Sequence, residues 1–311
     1  MKTNHLITLC IPTFNRASLV TDLIKSLIDS KVNDIANILI LDDGSTDNTL
    51  EKIQGFESHN NIQVIANPTN LGVAKTFIRC FDECNTEYLI MMTDDDLFLK
   101  DGLIQTLEDI KLHNPDFIAT TFKTTQNYKS RNYKKISLLG FLDIWVAAKH
   151  SPGLVYKTSA MNCAKDILLD NLNRKNLAAY FFPQIILLTL MKANNLKLIC
   201  SPSIIAVKDY TKSQSSQLVD ELGASYLSLS NVIKRHLSFT EFYKSLIDNQ
   251  LFKRHQQDLK KLLRVHKRSL YQNIEAGISL EDPSLISEFR RGSLIRFFRI
   301  RKFLRKHGIL K

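Results

Sequence analysis

An apolar run that ends almost at once in three consecutive acids, Tyr88-Leu-Ile-Met-Met-Thr-Asp-Asp-Asp-Leu-Phe98, has few ways to fold. Its apolar part suits one buried strand, and the acids must then emerge together at the end of that strand. Carboxylates crowded in this way repel one another, which raises their pKa unless a cation sits among them. The simplest such cation is a divalent metal. Hard oxygen ligands favour Mg²⁺ or Mn²⁺, and a metal held by one or two carboxylates usually completes its shell with substrate phosphates. An Asp-rich turn can instead cap the following helix, but Asp101, ahead of Gly-Leu-Ile-Gln-Thr-Leu, is placed for that role and leaves the cluster free.

Around this run the first 122 residues alternate apolar stretches with helical patterns, the signature of parallel strands joined by crossover helices. Strands are expected at Ile7–Ile11, Ile38–Leu41, Ile62–Ala66, Tyr88–Met92 and Phe117–Phe122, and helices at Ser18–Ser30, Asp47–Phe56, Val73–Cys84 and Gly102–His113. Functional groups in such sheets gather at the carboxyl ends of strands, so Pro12–Arg16, Asp42–Thr46 and Asp94–Asp96 should converge on one crevice. A polar, basic stretch from Thr124 to Ile136 reads as a loop. Beyond it come a helix at Phe182–Ala193 and two short strands, Leu196–Cys200 and Ile204–Val207, and past residue 217 the pattern turns helical and basic.

Four motifs in this order carry a resemblance: Ile11-Pro-Thr-Phe-Asn-Arg16, Leu41-Asp-Asp-Gly-Ser-Thr-Asp47, Asn67-Pro-Thr-Asn-Leu-Gly72 and Thr93-Asp-Asp-Asp96. Together they resemble the family 2 glycosyltransferases of the GT-A, nucleotide-diphospho-sugar-binding fold, closest to bacterial members that build surface polysaccharides. The resemblance covers residues 5–122. It implies a Rossmann-like mixed α/β sheet with a helical C-terminal extension, divided as a catalytic domain over 1–216 (a nucleotide-sugar half, 1–122, and an acceptor half, 123–216) and a basic helical region over 217–311. By that resemblance Pro12, Thr13, Asn15 and Arg16 line the nucleotide pocket, and Asp42 or Asp43 binds a uracil-type base. Asp94 and Asp95 form the ribose- and metal-binding motif, with Asp95 the first choice as ligand to Mn²⁺ or Mg²⁺. Lys75 and Arg79, on the helix after Gly72, are candidates for contacts to the donor diphosphate.

The implied reaction is inverting transfer of a sugar from a nucleoside-diphosphate donor, a UDP-sugar by the base assignment, to a glycan or lipid-linked acceptor. Such a transfer needs a Lewis acid on the departing diphosphate and a carboxylate that deprotonates the acceptor hydroxyl. Where the resemblance places that base the chain reads Tyr180-Phe-Phe-Pro-Gln184, without an acid. Asp166 and Asp170 are the nearest substitutes, whereas Asp209, after Ile204–Lys208, is a candidate to approach the metal or diphosphate, with Tyr210, Lys212 and Ser213–Ser216 as a mobile lid. Two other readings stay open: a non-catalytic sugar-nucleotide-binding protein, and a nucleotidyltransferase on the same fold. The latter lacks the Gly-rich, Lys-containing phosphate loop after the first strand.

Charge separates the chain into two parts. Residues 1–120 hold 9 Lys/Arg against 18 Asp/Glu, and 121–311 hold 33 against 13, balances of −9 and +20. The basic part is expected to meet something anionic. Residues 290–311 carry nine Lys/Arg and no acid, with Leu294, Phe297, Phe298, Ile300, Phe303 and Leu304 loosely on one helical face, the pattern of an interfacial helix on an anionic membrane. No nucleic-acid-binding motif accompanies the charge, so nucleic acid is not an expected partner. Five cysteines without metal-ligand spacing fit buried thiols in a reducing compartment. No signal-peptide pattern precedes the first strand and no apolar run reaches the ~20 residues of a membrane span, so the expected location is cytoplasmic, peripheral on the inner face of the membrane.

Overall fold

A strand covered on both faces reads as an unbroken apolar run, and β1 (Ile7–Thr13) has this character: Ile7, Leu9, Cys10 and Ile11 are inaccessible to solvent. It forms the centre of a parallel set with β2 (Asn37–Asp42), β3 (Ile62–Ala66) and β4 (Tyr88–Met91). In register, Leu9 lies between Ile38 of β2 and Ile90 of β4. The computed structural model describes residues 5–124, 131–148, 150–174, 176–208 and 229–264. Two compact units divide the chain, Met1–Lys175 with Ala179–Gln214, and Asn176–Ala178 with Ser215–Lys311.

In the first unit the remaining elements are α1 (Ala17–Asp29), α2 (Thr49–Gln54), α3 (Val73–Asp82), β5 (Asp96–Phe98), α4 (Lys100–His113), β6 (Phe117–Thr124), β7 (Ser137–Leu138), α5 (Ile144–Ala148), β8 (Leu154–Lys157), α6 (Lys165–Asn173), α8 (Pro183–Ala193) and β9 (Leu198–Lys208), with a short α7 (Leu177–Phe181) before α8. The strands run in the order β3-β2-β1-β4-β8-β6-β9-β5, with β7 paired to β9. Beyond the parallel set, β8 is antiparallel to both neighbours, β9 runs parallel to β6, and β5 is antiparallel to β9. This is a mixed sheet. Helix α1 buries Ala17, Val20, Leu23, Ile24 and Leu27, the spacing of one helical face. In α8 only Lys192 escapes burial, which explains its continuous apolar sequence.

Two expectations need correction. Asp101 does not cap α4: the helix begins at Lys100 after Leu99, which makes no side-chain cap bond, and Asp101 lies in the first turn, where exposed N–H groups favour an acid. The two short strands expected around Pro202 are one strand, β9, whose partner register skips between Thr120↔Ser201 and Thr121↔Ile204. A proline that cannot donate to the ladder is accommodated in that irregularity, and the strand continues beyond it. At the bulge Ser201 donates to the buried carboxylate of Asp109 at 2.5 Å, and Ser203 accepts from Thr106 at 3.0 Å, fastening β9 to α4.

In the second unit α9 (Leu229–Asp248) packs on the 3-10 segment Gln250–His255. Asn249 caps that segment by accepting from the Leu251 N–H at 2.9 Å, and the rings of Phe242 and Tyr243 meet at 5.5 Å. The candidate lid at 209–216 and the basic tail at 290–311 lie outside the described residues. Among the described residues no helix is long and apolar enough to cross a membrane. All five cysteines are free thiols, Cys10, Cys80 and Cys200 being buried.

The closest backbone approach in the sheet predicts a stability defect. A Cβ on Gly102 would lie 1.8 Å from the Ile204 carbonyl oxygen, so Gly102→Ala must push α4 off β9. The expected loss is ~3 kcal/mol, at the upper end for overpacking, read as a lower urea midpoint with an unchanged slope. An unchanged midpoint would show that the helix and strand are not in this contact.

Candidate active site

Three loops meet at the carboxyl ends of β1, β2 and β3, and main-chain bonds tie them together. The Asp43 N–H donates to the Thr13 carbonyl at 2.8 Å, and the Asn67 N–H to the Asp42 carbonyl at 2.8 Å. Asn15, in the left-handed region at φ 52°, accepts from the Thr46 N–H at 2.8 Å, and its own N–H donates to Ser45 Oγ at 2.8 Å. A short polar side chain tolerates that conformation better than most. Gly44, at φ 72°, passes so close to the third loop that a Cβ would sit 2.5 Å from the Thr69 carbonyl carbon.

The two acids after β2 serve this junction. Asp42 accepts from the Ser45 N–H at 3.0 Å and from the Ser45 hydroxyl. Asp43 accepts from Asn67 Nδ2 at 2.6 Å, the Leu71 N–H at 2.9 Å and the Gly72 N–H at 3.1 Å, so it fixes the loop leading into α3. Each oxygen of Asp42 keeps one spare lone pair, whereas Asp43 keeps one in all.

Beside this junction Asp94, Asp95 and Asp96 are 4%, 6% and 4% exposed. Thr13 Oγ1 donates to Asp94 Oδ2 at 2.8 Å and Arg16 to Asp94 Oδ1 at 2.7 Å. From the far end of β9, Lys208 Nζ reaches Asp95 Oδ2 at 2.7 Å and lies 3.3 Å from Asp96 Oδ1. Thr93 Oγ1 donates to Asp96 Oδ2 at 2.5 Å. Three acids thus share two cations. Burial still dominates at Asp94, which it raises above the usual carboxylate range despite Arg16 and Thr13. It likewise pushes Asp96 up to about 6, against the opposing pull of Lys208 and Thr93.

Two oxygens in the cluster fit a hard divalent cation. Among the described residues Asp95 Oδ1 accepts no hydrogen bond, and the buried Asp96 Oδ1 has Lys208 Nζ at 3.3 Å. Asp94, the second expected ligand, accepts one bond on each oxygen, from Thr13 and Arg16, and keeps one spare lone pair on each; Asp96 lies beside it with Lys208 at 3.3 Å. Among the described residues no group of three or more His, Cys, Asp or Glu is arranged around a metal position. Two carboxylates of this kind suit an ion that takes its remaining ligands from phosphate oxygens.

The other candidates are spread more widely. Pro12 is half-buried at the end of β1, and Lys75 is exposed on the first turn of α3, with no ion pair among the described residues. Arg79 is taken up by Glu83, at 3.1 Å, and by Asn67 Oδ1. Helix α3 starts next to Asp43 and runs back for ten residues, about 15 Å, toward the amino ends of the strands. There its last residue, Asp82, pairs with Lys165 at 2.5 Å. Asp166, exposed beside Lys165, is therefore at the wrong end of the sheet for a base. Asp170 is 54% exposed and paired to Arg174 at 3.0 Å, with no bond to the cluster. At the position where an acid was expected, Gln184 is buried and donates to the Ala148 carbonyl at 3.0 Å.

A family model described as glycosyl transferase family 2 matches residues 8–164. The chain belongs to that family. The abequosyltransferase RfbV of Salmonella typhimurium is 35% identical over 109 residues, 33% of this chain and 33% of that protein. The poly-beta-1,6-N-acetyl-D-glucosamine synthase of Staphylococcus epidermidis is 26% identical over 148 residues, 48% of this chain and 35% of that one. The chain thus spans about a third of the length of these curated relatives. Among solved structures, S. aureus TarS 1–349 in complex with UDP-GlcNAc superposes with a TM-score of 0.66 at 16% identity, covering 89% of this chain and 76% of that one. The Pyrobaculum calidifontis mannosyltransferase PcManGT, in complex with GDP-Man and Mn²⁺, gives 0.52 at 14% identity, covering 96% and 83%. These likenesses establish the GT-A fold of this family 2 chain.

Sequence reasoning missed Lys208 and Arg131. Lys208 had one weak signal, a single cation closing an apolar strand in the basic half of the chain. Arg131 sat in a stretch read as polar loop, yet it is 4% exposed. Its guanidinium donates to the carbonyls of Thr120, Ala147, His150 and Pro152, with Phe122 against its face at 5.8 Å. Burial lowers its pKa to about 10, still far above neutrality. In this way it holds the loop before β8 against β6.

The role of Asp43 is open to a direct measurement. In Asp43→Asn an amide N–H₂ replaces an acceptor facing three donors, and the expected cost is about 2–3 kcal/mol of unfolding free energy. Urea unfolding at constant slope checks it; wild-type stability would mean that the Asn67–Gly72 loop is held by other groups.

Proposed function

We propose that this family 2 chain is an inverting glycosyltransferase that moves a sugar from a nucleoside-diphosphate donor, a UDP-sugar, onto a growing surface polysaccharide. The observation that carries this reading is the buried cluster at the carboxyl end of β4, where Asp95 and Asp96 present oxygens beside Arg16 and Lys208. Asp95 and Asp96 would hold Mn²⁺ or Mg²⁺, which when bound supplies Lewis-acid stabilisation to the departing diphosphate. Asp42 uses its spare acceptor capacity for a base N–H, and Pro12, Thr13 and Asn15 line the nucleotide. Arg16, held on Asp94, and the exposed Lys75 lend positive charge near the diphosphate. The glycan-building names of the relatives and the UDP-GlcNAc bound to TarS support the donor and acceptor classes.

A second reading, sugar-nucleotide binding without turnover, is favoured by one observation. Gln184, buried and bonded to a carbonyl, cannot take a proton from an acceptor. Both readings expect UDP to raise the melting temperature in Mn²⁺, but only the first expects sugar release or transfer. Asp95→Ala should lower turnover ~10²-fold or more, because the Lewis-acid contribution is several kcal/mol. Full activity of that variant in the presence of a chelator would refute the metal role of Asp95.

The same proposal places the acceptor on a lipid at the cytoplasmic membrane face, with residues 290–311 as the anchor. With nine Lys/Arg and no acid, that segment is attracted to anionic lipid at ~1 kcal/mol per cation near the surface. Removing it should abolish sedimentation with anionic liposomes and spare donor hydrolysis, and wild-type binding should weaken steeply with salt. Liposome binding that survives the truncation would exclude the tail as anchor.

A further inference from the structure

The cluster after β4 already contains a cation at the position a metal would take. Lys208 Nζ bridges Asp95 Oδ2, at 2.7 Å, and Asp96 Oδ1, at 3.3 Å, and its side chain is only 16% exposed. The second contact is the longer of the two, and Asp96 Oδ1 is fully buried. Both acids therefore present an oxygen to one positive charge, an arrangement that also suits a spherical ion. The lysine is delivered by main-chain pairing, because β9 aligns Lys208 opposite Asp96 of β5. Its four-carbon stem can swing while that backbone pairing stays in place, a freedom the planar fork of an arginine lacks.

We propose that Lys208 is a built-in counter-cation that occupies the metal position between Asp95 and Asp96 while no donor is bound, and exchanges with the divalent ion when nucleoside diphosphate arrives. The inference rests on the metal reading given above. An ammonium and a dication cannot share the same two carboxylates, since like charges a few ångströms apart in a buried site repel strongly. The metal must displace the lysine, and an anion arriving at the site can then take up its charge. The donor diphosphate is the one that arrives with the metal. Metal and diphosphate should therefore bind cooperatively, each strengthening the other by the same factor. Arg16 takes no part in the exchange, because its partner is Asp94, whose other oxygen is held by Thr13.

Mn²⁺ binding followed by electron paramagnetic resonance tests this without reference to turnover. Wild-type protein should bind free Mn²⁺ weakly and bind it much more tightly with UDP present. Lys208→Met, which removes the competing charge, should bind free Mn²⁺ at least ~10-fold tighter than wild type and show a correspondingly smaller effect of UDP. Asp95→Asn added to Lys208→Met should abolish the gain, locating it at this pair. Should circular dichroism show Lys208→Met to be unfolded, Lys208→Gln, which keeps length and a polar end, carries the same expectation. Equal or weaker Mn²⁺ affinity in the folded variant, with wild type still binding Mn²⁺ through UDP, overturns the exchange and leaves the metal reading intact. Failure of wild type and variant alike to bind Mn²⁺ even with UDP overturns the metal reading, and the exchange falls with it.

Discussion

Three carboxylates buried side by side are unfavourable, and much of the architecture around the site offsets that cost. An unpaired charge in a protein interior is penalised by several kcal/mol, so the chain must bring cations to Asp94, Asp95 and Asp96 from elsewhere. One comes from the turn after β1 as Arg16. The other comes from the last residue of β9 as Lys208, more than a hundred positions away in sequence. The antiparallel β5–β9 pairing at the sheet edge is what gives the second cation its place.

The loops that complete the crevice are held by a different device. Here few charges are paired; side-chain acceptors and one missing Cβ bring backbone to backbone. Asp43 collects donors from the third loop, Asn15 collects donors from the second, and Gly44 allows contact no side chain would permit. A nucleotide would meet a floor organised in advance, so little of its binding energy need go into ordering loops.

How much of this was legible in sequence follows from the range of the interactions concerned. The strands β1 to β4 and their helices were readable to within about two residues; in β1, β2 and β4 burial on both faces writes itself into consecutive apolar positions, and β3, with Gln63 exposed, is a short apolar run at the edge of the sheet. The convergence of the three loops followed from strand polarity alone. What depends on distant partners was hidden. Nothing near Asp94 reveals that Thr13 and Arg16 bond to it, or that Lys208 lies between Asp95 and Asp96. Pro202 made one strand look like two, because local propensity registers the missing N–H but not the bulge that absorbs it. Asp166 and Asp170 were near the expected base in sequence, yet the direction of α3 and the Lys165–Asp82 pair put Asp166 at the opposite end of the sheet.

Arg131 solves the problem of a buried charge in another way, by partial charges alone. Its partners are four carbonyl dipoles and an aromatic face, with no acid among its hydrogen-bond acceptors. Mobile ions cannot reach such a contact, so raising ionic strength should loosen exposed pairs such as Arg174–Asp170 long before it affects the loop before β8. The seating of the loop before β8 on β6 is thereby insulated from the salt of its surroundings.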